Sequence, residues 1–406
     1  MTERHTQHYD VIIVGGGIVG LAMAARLGEI DARSVIDGQP GLTIAVIDNA
    51  PAPVASSDGL GLRTTSLNEG ATALLTRVGA LSHIPAARQT FFDRLEAGDE
   101  RNPAALSFAS AEIGLERFGI FVENDRLRFA LWQCLNAHAR VTLESETSPV
   151  TQRLENDNQH ITLKDGRSLK AKLLIGADGA QSCVRHSAGI GSMQRDYAQN
   201  AMVINVRLER MSTPHTTWQV FTPHGPVAFL PLHDRQASLV WYDRPETAQR
   251  TMALNNDALR LAITEAFPAR LDPIEQILGH GHFPMRRQHA RRYVGPRLAL
   301  VGDAAHGIHT LAGQGVNLGL ADVEALGRQI EKRIAHGDAG GGEALQAYER
   351  HQWPRNAAMV MAVEQLHDIF TLPFAPLRNL AGRGLGSANR FNLAKRLMMK
   401  VATGHV

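Results

Sequence analysis

The chain has 406 residues, of which 44% are apolar and 20% charged, so it is long enough for two to three domains that fold without disulfide or metal staples. Its 42 Lys and Arg residues against 40 Asp and Glu residues give a formal net charge of +2, which is too balanced to indicate nucleic acid as a partner. No run approaches the roughly 18 apolar residues of a membrane-spanning helix, and no apolar signal segment precedes the first strand pattern, so we expect a cytoplasmic protein.

The first element is a β-branched run at residues 9–14, which passes through three glycines into the apolar helical pattern of residues 18–27. Gly15, Gly17 and Gly20 have the G-x-G-x-x-G spacing of a dinucleotide-binding turn. The first glycine permits the turn, the second lets a pyrophosphate approach the backbone, and the third lets helix and strand pack closely. The pattern predicts a strand, a tight turn and a helix that bind a dinucleotide.

The second predicted strand, residues 42–47, ends at Asp48. A carboxylate at this place takes the ribose hydroxyls of an adenine dinucleotide. Asp48 lies 28 residues beyond Gly20, which is further than usual. We assign the excess to a surface loop from Asp31 to Gly41, because that segment contains Gly and Pro.

Two further predicted strands, residues 169–175 and 297–301, also run into turns rich in Gly and Asp. Ligands of an open α/β sheet bind at the carboxyl ends of its strands, so we expect these turns to converge on one site. The helix that follows the last turn has one buried stripe at three- and four-residue spacing. The two turns read Gly176-Ala-Asp178-Gly179-Ala-Gln-Ser182-Cys-Val-Arg185 and Gly302-Asp303-Ala-Ala-His306, the latter followed by Ala312-Gly313-Gln314-Gly315-Val316-Asn317.

Residues 191–280 change to an alternating pattern, which predicts antiparallel strands of a second layer. After Gly342 the chain is predicted to be helical to its end, with interruptions at Pro354, Pro373 and Pro376. Residues 371–406 contain basic side chains among Leu, Phe and Met but no Asp or Glu, which predicts an amphipathic element that packs on the body or contacts a membrane surface. Its basic residues are Arg378, Arg383, Arg390, Lys395, Arg396 and Lys400.

These three motifs together resemble the class A flavoprotein aromatic hydroxylases, which have the p-hydroxybenzoate hydroxylase fold, and among them the ubiquinone-biosynthesis hydroxylases. The likeness spans nearly the whole chain and includes the segments 61–68, 122–128 and 225–232. It implies an α/β fold: a Rossmann-like FAD-binding domain, an antiparallel-sheet substrate domain and a helical C-terminal segment. The implied boundaries are 1–188 and 281–340 for the two parts of the FAD-binding domain, 189–280 for the substrate domain and 341–406 for the helical segment.

The resemblance implies FAD as the cofactor. The first motif would hold its ADP half, the second is linked to handling of FAD and NAD(P)H, and the third would hold the ribityl chain and the pyrimidine edge of the flavin. Backbone N–H groups of the third motif would also stabilise negative charge at the flavin N1/O2 edge. The implied cofactor-binding residues are Gly15, Gly17, Gly20, Asp48, Arg63, Asp178, Gly179, Arg185, Gly302, Asp303, Gly313, Gln314, Gly315, Val316 and Asn317.

Two of these residues have a more detailed expectation. Arg63 matches an arginine that lies against the FAD phosphates in related enzymes. Asp303 would accept hydrogen bonds from ribityl or ribose hydroxyls, or alternatively cap the next helix. One position departs from the family: relatives usually carry Pro where this chain has Thr310, in a loop that faces the reacting side of the flavin. The loss of a fixed φ and the added hydroxyl bear on how substrate is positioned.

The reaction implied is aromatic hydroxylation, in which reduced flavin and O₂ form a C4a-hydroperoxide that transfers oxygen to an electron-rich ring. NAD(P)H or another reductant would supply the electrons, and no metal is required. A phenol reacts faster as phenolate, so a proton acceptor near the flavin would help. The candidates are His306, His309 and His224, and the sequence does not choose between them.

The apolar substrate domain and the basic tail both suit a prenylated phenol or quinol of ubiquinone biosynthesis. The protein would then contact the inner face of the membrane, or a quinone-synthesis complex, through residues 371–406. Two alternatives stay open. One is an FAD hydroxylase of soluble aromatic compounds, and the other is a flavin-binding scaffold of a quinone-synthesis complex that does not turn over.

Overall fold

A computed structural model describes residues 6–38, 41–55, 59–100, 106–307, 314–334 and 338–370. These ranges contain nineteen strands and eight α-helices. The strands are β1 (Gln7–Val14), β2 (Ile44–Ile47), β3 (Thr64–Asn68), β4 (Thr90–Phe92), β5 (Arg94–Asp99), β6 (Leu106–Ala109), β7 (Gly119–Glu123), β8 (Val141–Glu144), β9 (Pro149–Glu155), β10 (Asn158–Leu163), β11 (Ser168–Gly176), β12 (Ser192–Leu208), β13 (Thr216–Thr222), β14 (Gly225–Pro231), β15 (Gln236–Asp243), β16 (Ile274–Ala290), β17 (Val294–Gly295), β18 (Leu298–Leu300) and β19 (His306–Gly307). The helices are α1 (Ile18–Ile36), α2 (Glu69–Arg77), α3 (Asn124–Asn136), α4 (Cys183–Ser187), α5 (Pro245–Met252), α6 (Asn256–Ala266), α7 (Gln314–Ile334) and α8 (Gly342–Phe370).

The first sheet has a parallel centre in the order β18-β11-β1-β2-β8. Its central strands are apolar because helices cover the sheet, and side chains of β1 and β2 lie in one continuous core with those of α1 and α7. The four strands predicted from the sequence are therefore neighbours. Because they are parallel, the turns that follow β1, β2, β11 and β18 lie at one edge of the sheet.

Helix α1 is longer than the sequence analysis predicts. The segment from Asp31 to Gly41 was expected to be a surface loop, but the helix continues to Ile36. Ile30 and Ser34 keep a buried face through these last turns, and the carboxylate of Asp31 accepts a hydrogen bond of 2.6 Å from the Leu42 amide. Extra helical turns therefore account for the wide spacing between the third glycine and Asp48.

The second sheet has the order β19-β16-β12-β15-β14-β13-β5-β6 and is antiparallel except for the β13–β5 pair. It confirms the second layer predicted for the middle of the chain. Helices α5 and α6 cover one face, where Leu259 and Ile263 pack on the apolar side chains of β12 to β15. Strands β12 and β16 are 17 residues each and pair along most of their length. Strands β5 and β6 come from much earlier in the chain, which the sequence analysis did not predict.

Helix α8 passes through Pro354, where an interruption was predicted. A proline inside a helix removes one hydrogen bond and crowds the preceding turn. Residues on both sides of it are anchored: Gln352 and Asn356 donate to the Asp322 carboxylate of α7 at 3.0 and 2.9 Å, and the Trp353 indole donates to the Ala290 carbonyl at 3.0 Å. These contacts hold the helix together across the proline.

The remaining predictions on the C-terminal part concern residues 371–406, which lie outside the described residues. Within the described part, no helix is both long and apolar enough to cross a membrane. Cys134 and Cys183 are both free thiols. The small third sheet, β3-β7-β4, places the start of β3 beside the end of β7.

Candidate functional site

The turn between β1 and α1 has the close approaches that the glycine spacing predicts. Gly15 has a φ of +112°, and a Cβ there would lie 2.3 Å from the Ala177 carbonyl oxygen. A Cβ on Gly20 would lie 1.8 Å from the Gly15 carbonyl oxygen, whereas one on Gly17 would meet nothing within 4 Å. No side chain caps the N-terminus of α1 and no acidic residue occupies its first turn. Its backbone N–H groups are therefore open to an anion.

Asp48 follows β2 and braces this turn. Its carboxylate accepts hydrogen bonds from the amides of Gly16 at 2.5 Å and Ala50 at 2.7 Å. Arg128 of α3 lies 3.8 Å from the same carboxylate and donates to the Gly16 carbonyl at 2.8 Å. Arg128 was part of a segment that the sequence analysis noted, but its contact with the glycine turn could not be read from one sequence.

The second motif is held by its own side chains. The carboxylate of Asp178 accepts from the Ser182 hydroxyl at 2.5 Å and from the Val184 amide at 3.1 Å. Arg185 is only 1% exposed, and it donates to the carbonyls of Ala180 and Ala304 at 2.8 Å each. Arg185 thus ties the second motif to the third and does not reach the open side of the turn.

Asp303 lies just beyond β18, in a turn where Gly302 has a φ of +58°. Its side chain is exposed, yet protein surrounds the carboxyl group closely enough that desolvation raises its pKa, against the opposing charges of His306 and Arg63. A group that is open to solvent and still surrounded by protein lies in a cleft. Arg63, which is itself exposed, therefore faces the same cleft as Asp303.

His306 is buried behind this turn. It is 1% exposed, and its Nε2 contacts the Asp322 carboxylate at 2.5 Å. Asp322 also accepts the Gly302 amide at 3.0 Å. Burial disfavours the charged imidazole, but the Asp322 carboxylate and its hydrogen bond prevail and raise the pKa of His306. Since this burial separates the ring from any substrate in the cleft, we withdraw His306 as a direct proton acceptor and assign it to the support of the Gly302 turn.

Of the other two proton-acceptor candidates, only His224 lies among the described residues, and the structure does not bring it to the cleft. His224 is exposed in the turn between β13 and β14, and no described contact links it to the cleft. His309, Thr310 and Gly313 lie outside the described residues. Gln314, Gly315, Val316 and Asn317 form the first turn of α7, where the Asn317 amide group pairs with the Asn68 amide at 2.9 Å and the Ser66 carbonyl at 2.7 Å.

One face of the second sheet is turned towards this cleft. Asn205 of β12 donates to the Gly61 carbonyl at 2.9 Å, and the Arg63 guanidinium lies 5.3 Å from the centre of the Phe283 ring of β16. Residues directly opposite in an antiparallel pair share a face. The same face therefore carries a row of three half-buried apolar side chains, Val203, Val240 and Ala228.

These features fit a dinucleotide with a flavin. The cradle at Gly17 leaves room for a pyrophosphate, the N-terminus of α1 offers free amides, and the open carboxylate of Asp303 suits a polyol. Among the described residues, no group of three or more His, Cys, Asp or Glu could hold a metal ion. A family model for an FAD binding domain matches residues 8–363.

The chain belongs to this FAD-binding family. It is 40% identical to the 3-demethoxyubiquinol 3-hydroxylase of Escherichia coli, with 100% of both chains covered. It is 32% identical to the ubiquinone biosynthesis monooxygenase COQ6 of Homo sapiens, over 97% of this chain and 92% of the relative. The predicted likeness to class A flavoprotein hydroxylases is confirmed. The protein binds FAD and is an FAD-dependent monooxygenase that uses O₂, a reductant and an aromatic substrate.

A solved structure supports the fold. The p-nitrophenol 4-monooxygenase PnpA of Pseudomonas putida superimposes with a TM-score of 0.80 at 16% identity, over 98% of this chain and 99% of the other. The α/β fold with a Rossmann-like domain and an antiparallel second sheet is thereby confirmed.

Proposed function

We propose that this monooxygenase hydroxylates the ring of a polyprenylated quinol, a demethoxyubiquinol, in ubiquinone biosynthesis. The observation that carries the proposal is the row of Val203, Val240 and Ala228 on the cleft side of the second sheet. A soluble aromatic acid needs a cation to pair with its carboxylate once it leaves water; the three side chains of the row are apolar, and Arg63, which contacts the same face, is assigned below to the FAD phosphates. A neutral ring with an apolar tail needs only such a surface. The name of the Escherichia coli relative supports the same substrate class.

We assign the cofactor-binding roles as follows. The turn with Gly15, Gly17 and Gly20 and the free amides of α1 would hold the pyrophosphate, and Asp48 the adenosine ribose. Arg63 would pair with the phosphates from the other side of the cleft. FAD, once reduced, supplies the activation of O₂ that hydroxylation requires.

The second and third motifs would hold the flavin half. Asp303 would accept hydrogen bonds from ribityl hydroxyls, and the backbone amides from Gly313 to Asn317 would lie at the pyrimidine edge. Asp178, Gly179 and Arg185 support this arrangement by fixing the second motif against the third, since Arg185 donates to the Ala304 carbonyl. His309 and Thr310 keep their proposed place on the substrate side of the flavin.

We further propose the division into an FAD-binding domain of residues 1–188 and 281–340, a substrate domain of residues 189–280 and a helical segment of residues 341–406. Strands β5 and β6, which pair with the second sheet, would contribute to the substrate domain from within the first part. NAD(P)H is the proposed reductant. Residues 371–406 would bring the protein to the inner face of the membrane, where a polyprenylated substrate resides.

The test is single-turnover product analysis. The FAD-loaded protein is photoreduced without oxygen and mixed with isotope-labelled O₂ and a short-chain demethoxyubiquinol, with p-hydroxybenzoate as the soluble comparison. We expect one labelled oxygen atom in the quinol product and none in the acid. Product from the acid alone would instead establish a hydroxylase of soluble compounds. Peroxide without product from either compound would leave only the scaffold role.

A further inference from the structure

The segment from Gly61 to Arg63 is held from two sides, by the small third sheet and by the second sheet. On one side, the carboxylate of Glu123, at the end of β7, accepts the Gly61 amide at 2.6 Å. On the other side, the side-chain amide of Asn205, in the middle of β12, donates to the Gly61 carbonyl at 2.9 Å and to the Leu62 carbonyl at 3.3 Å. The two backbone polar groups of one residue, Gly61, are thus bonded to different sheets, the N–H to the third and the C=O to the second.

Glu123 is built to hold this amide. It is 2% exposed, and its second oxygen accepts from Arg126 at 2.8 Å and from Arg88 at 3.1 Å. Two guanidinium groups form ion pairs with this carboxylate on the side away from Gly61, and hydrogen bonds to a carboxylate are stronger than those to a neutral acceptor.

Asn205 is held in an orientation that leaves part of it unsatisfied. The residue is 1% exposed, and its Oδ1 has no hydrogen-bond partner among the described residues. Rotating the amide group would satisfy nothing, because it would turn Oδ1 towards the carbonyl oxygens of Gly61 and Leu62. A buried acceptor without a partner lowers the stability of the fold, so the sheet retains Asn205 at the expense of stability.

We infer that Glu123 and Asn205 are positioning residues that fix the Gly61 peptide from opposite sides and thereby hold Arg63 at the FAD cleft. Arg63 follows two residues later, and its own carbonyl accepts the Asn124 amide at 2.9 Å, so the backbone that leads to its side chain is fixed at both Gly61 and Arg63. The inference rests on the proposed role of Arg63 towards the FAD phosphates.

The test compares Asn205→Leu and Glu123→Gln with Asn200→Leu. Leucine keeps the branched outline of the Asn205 side chain, with bulkier methyl groups, and removes both donated hydrogen bonds. Glutamine at residue 123 cannot accept the Gly61 amide without turning its N–H₂ group towards the two arginines. Asn200 is a matched control because it is a buried asparagine of the same strand that bonds only within the sheet, to His282 at 2.9 Å.

Two measurements are made, neither of which uses a substrate. Hydrogen exchange on the FAD-free protein follows the amides of residues 60–68, and titration of FAD gives its Kd. In both positioning variants we expect hydrogen exchange at the Gly61 amide to be about tenfold faster and the Kd of FAD to be about tenfold higher. Both quantities should change little in Asn200→Leu.

The inference would be overturned if both positioning variants showed the hydrogen exchange and the FAD affinity of the wild-type protein. It would also be overturned if the Asn200→Leu control changed in both quantities as much as they do. Arg63→Gln separates the premise from the inference. We expect it to weaken FAD binding while exchange at Gly61 stays normal, and unaltered FAD affinity in this variant would overturn the positioning role through Arg63. Because no quinol is present, failure of the proposed hydroxylation would leave these results unaffected.

Discussion

Three carboxylates follow strands at the cofactor edge of the first sheet, and they differ in the hydrogen bonds that they accept. Those of Asp48 and Asp178 accept hydrogen bonds from their own turns. That of Asp303 has no donor among the described residues and lies in the cleft with a raised pKa. The first two therefore shape the backbone and have only their remaining lone pairs for a ligand such as the ribose proposed for Asp48, whereas the third has its whole carboxylate open to a ligand.

Asp303→Ala is expected to abolish FAD retention or hydroxylation and to leave the protein folded. FAD binding should fail because the substitution removes the carboxylate that is open to the ligand. The fold should persist because little packing is lost and because desolvation disfavours the ionised carboxylate in the folded protein. FAD occupancy after purification, product formation and circular dichroism are the measurements. Asp37→Ala, at an exposed carboxylate beyond α1, is the control and should retain FAD. Full occupancy and turnover in Asp303→Ala would disprove the role.

Asp322→Asn should lower the free energy of unfolding by about 3 kcal/mol, because it leaves the buried His306 without its charged partner. Asp338, whose ion pair with Arg297 is partly exposed, provides the comparison, and Asp338→Asn should cost less than about 1 kcal/mol. Urea unfolding of both variants measures the difference. Equal losses in the free energy of unfolding would show that the buried ion pair contributes no more to stability than the partly exposed one.

At the scale of elements, the turn between β1 and α1 contains glycines that are required for two different reasons. At Gly20 the third glycine is required by the protein itself, since a Cβ would collide with the Gly15 carbonyl. At Gly17 the backbone borders open space that a ligand would fill.

Gly20→Ala is therefore expected to destabilise the protein whether or not FAD is present. Gly17→Ala should leave the stability of the FAD-free protein within about 0.5 kcal/mol of wild type and weaken FAD binding at least tenfold. Thermal melting with and without FAD, together with FAD titration, measures both effects. Tight FAD binding by Gly17→Ala would show that the pyrophosphate lies elsewhere.

The sequence was sufficient for elements whose signal is local. The strands before the three motifs, the second layer and the stripe of α7 follow from periodicity and glycine spacing. Elements that depend on distant partners were not predictable: β5 joins the second sheet only by pairing with β13, and α8 continues through Pro354 only because Asp322 anchors it.

The same distinction applies to the site. The glycines and Asp303 were recognisable because their chemistry requires those residue types at those places. The burial of Arg185 and His306 was not, since it depends on loops that meet only in the folded protein. Arg128 and Glu123 lie in the segment 122–128 that contributes to the resemblance, and Asn205 lies in no motif. The role of each could not be predicted, because each acts on a backbone group rather than on another conspicuous side chain.

At the scale of the whole molecule, the buried network behind the cleft links stability to pH. His289 of β16 bonds the Tyr293 hydroxyl at 2.9 Å and packs edge-on against Trp353. Desolvation, with the charges of His306 and Arg287 adding to it and Asp322 opposing it, lowers the pKa of His289 to about 4. The folded protein thus keeps this imidazole neutral at pH values where the unfolded chain protonates it.

The stability contribution of neutral His289 should be complete above the unfolded pKa of about 6.5 and be lost as the pH falls towards 4, a change of about 3 kcal/mol. His289→Gln should flatten the pH dependence of the free energy of unfolding in that window. Urea unfolding of both proteins at several pH values tests this. Parallel pH profiles would contradict the prediction.

The pairing of β5 with β13 has a consequence for biosynthesis. Arg94 of β5 aligns with Thr216 of β13, so its partner is made about 120 residues later. At ribosomal rates of roughly 5–20 residues per second, β5 and β6 wait on the order of ten seconds outside the exit tunnel before the sheet that receives them exists. During that interval their hairpin is an unpaired edge, and nascent chains stalled before residue 216 are where we expect chaperone dependence to be greatest.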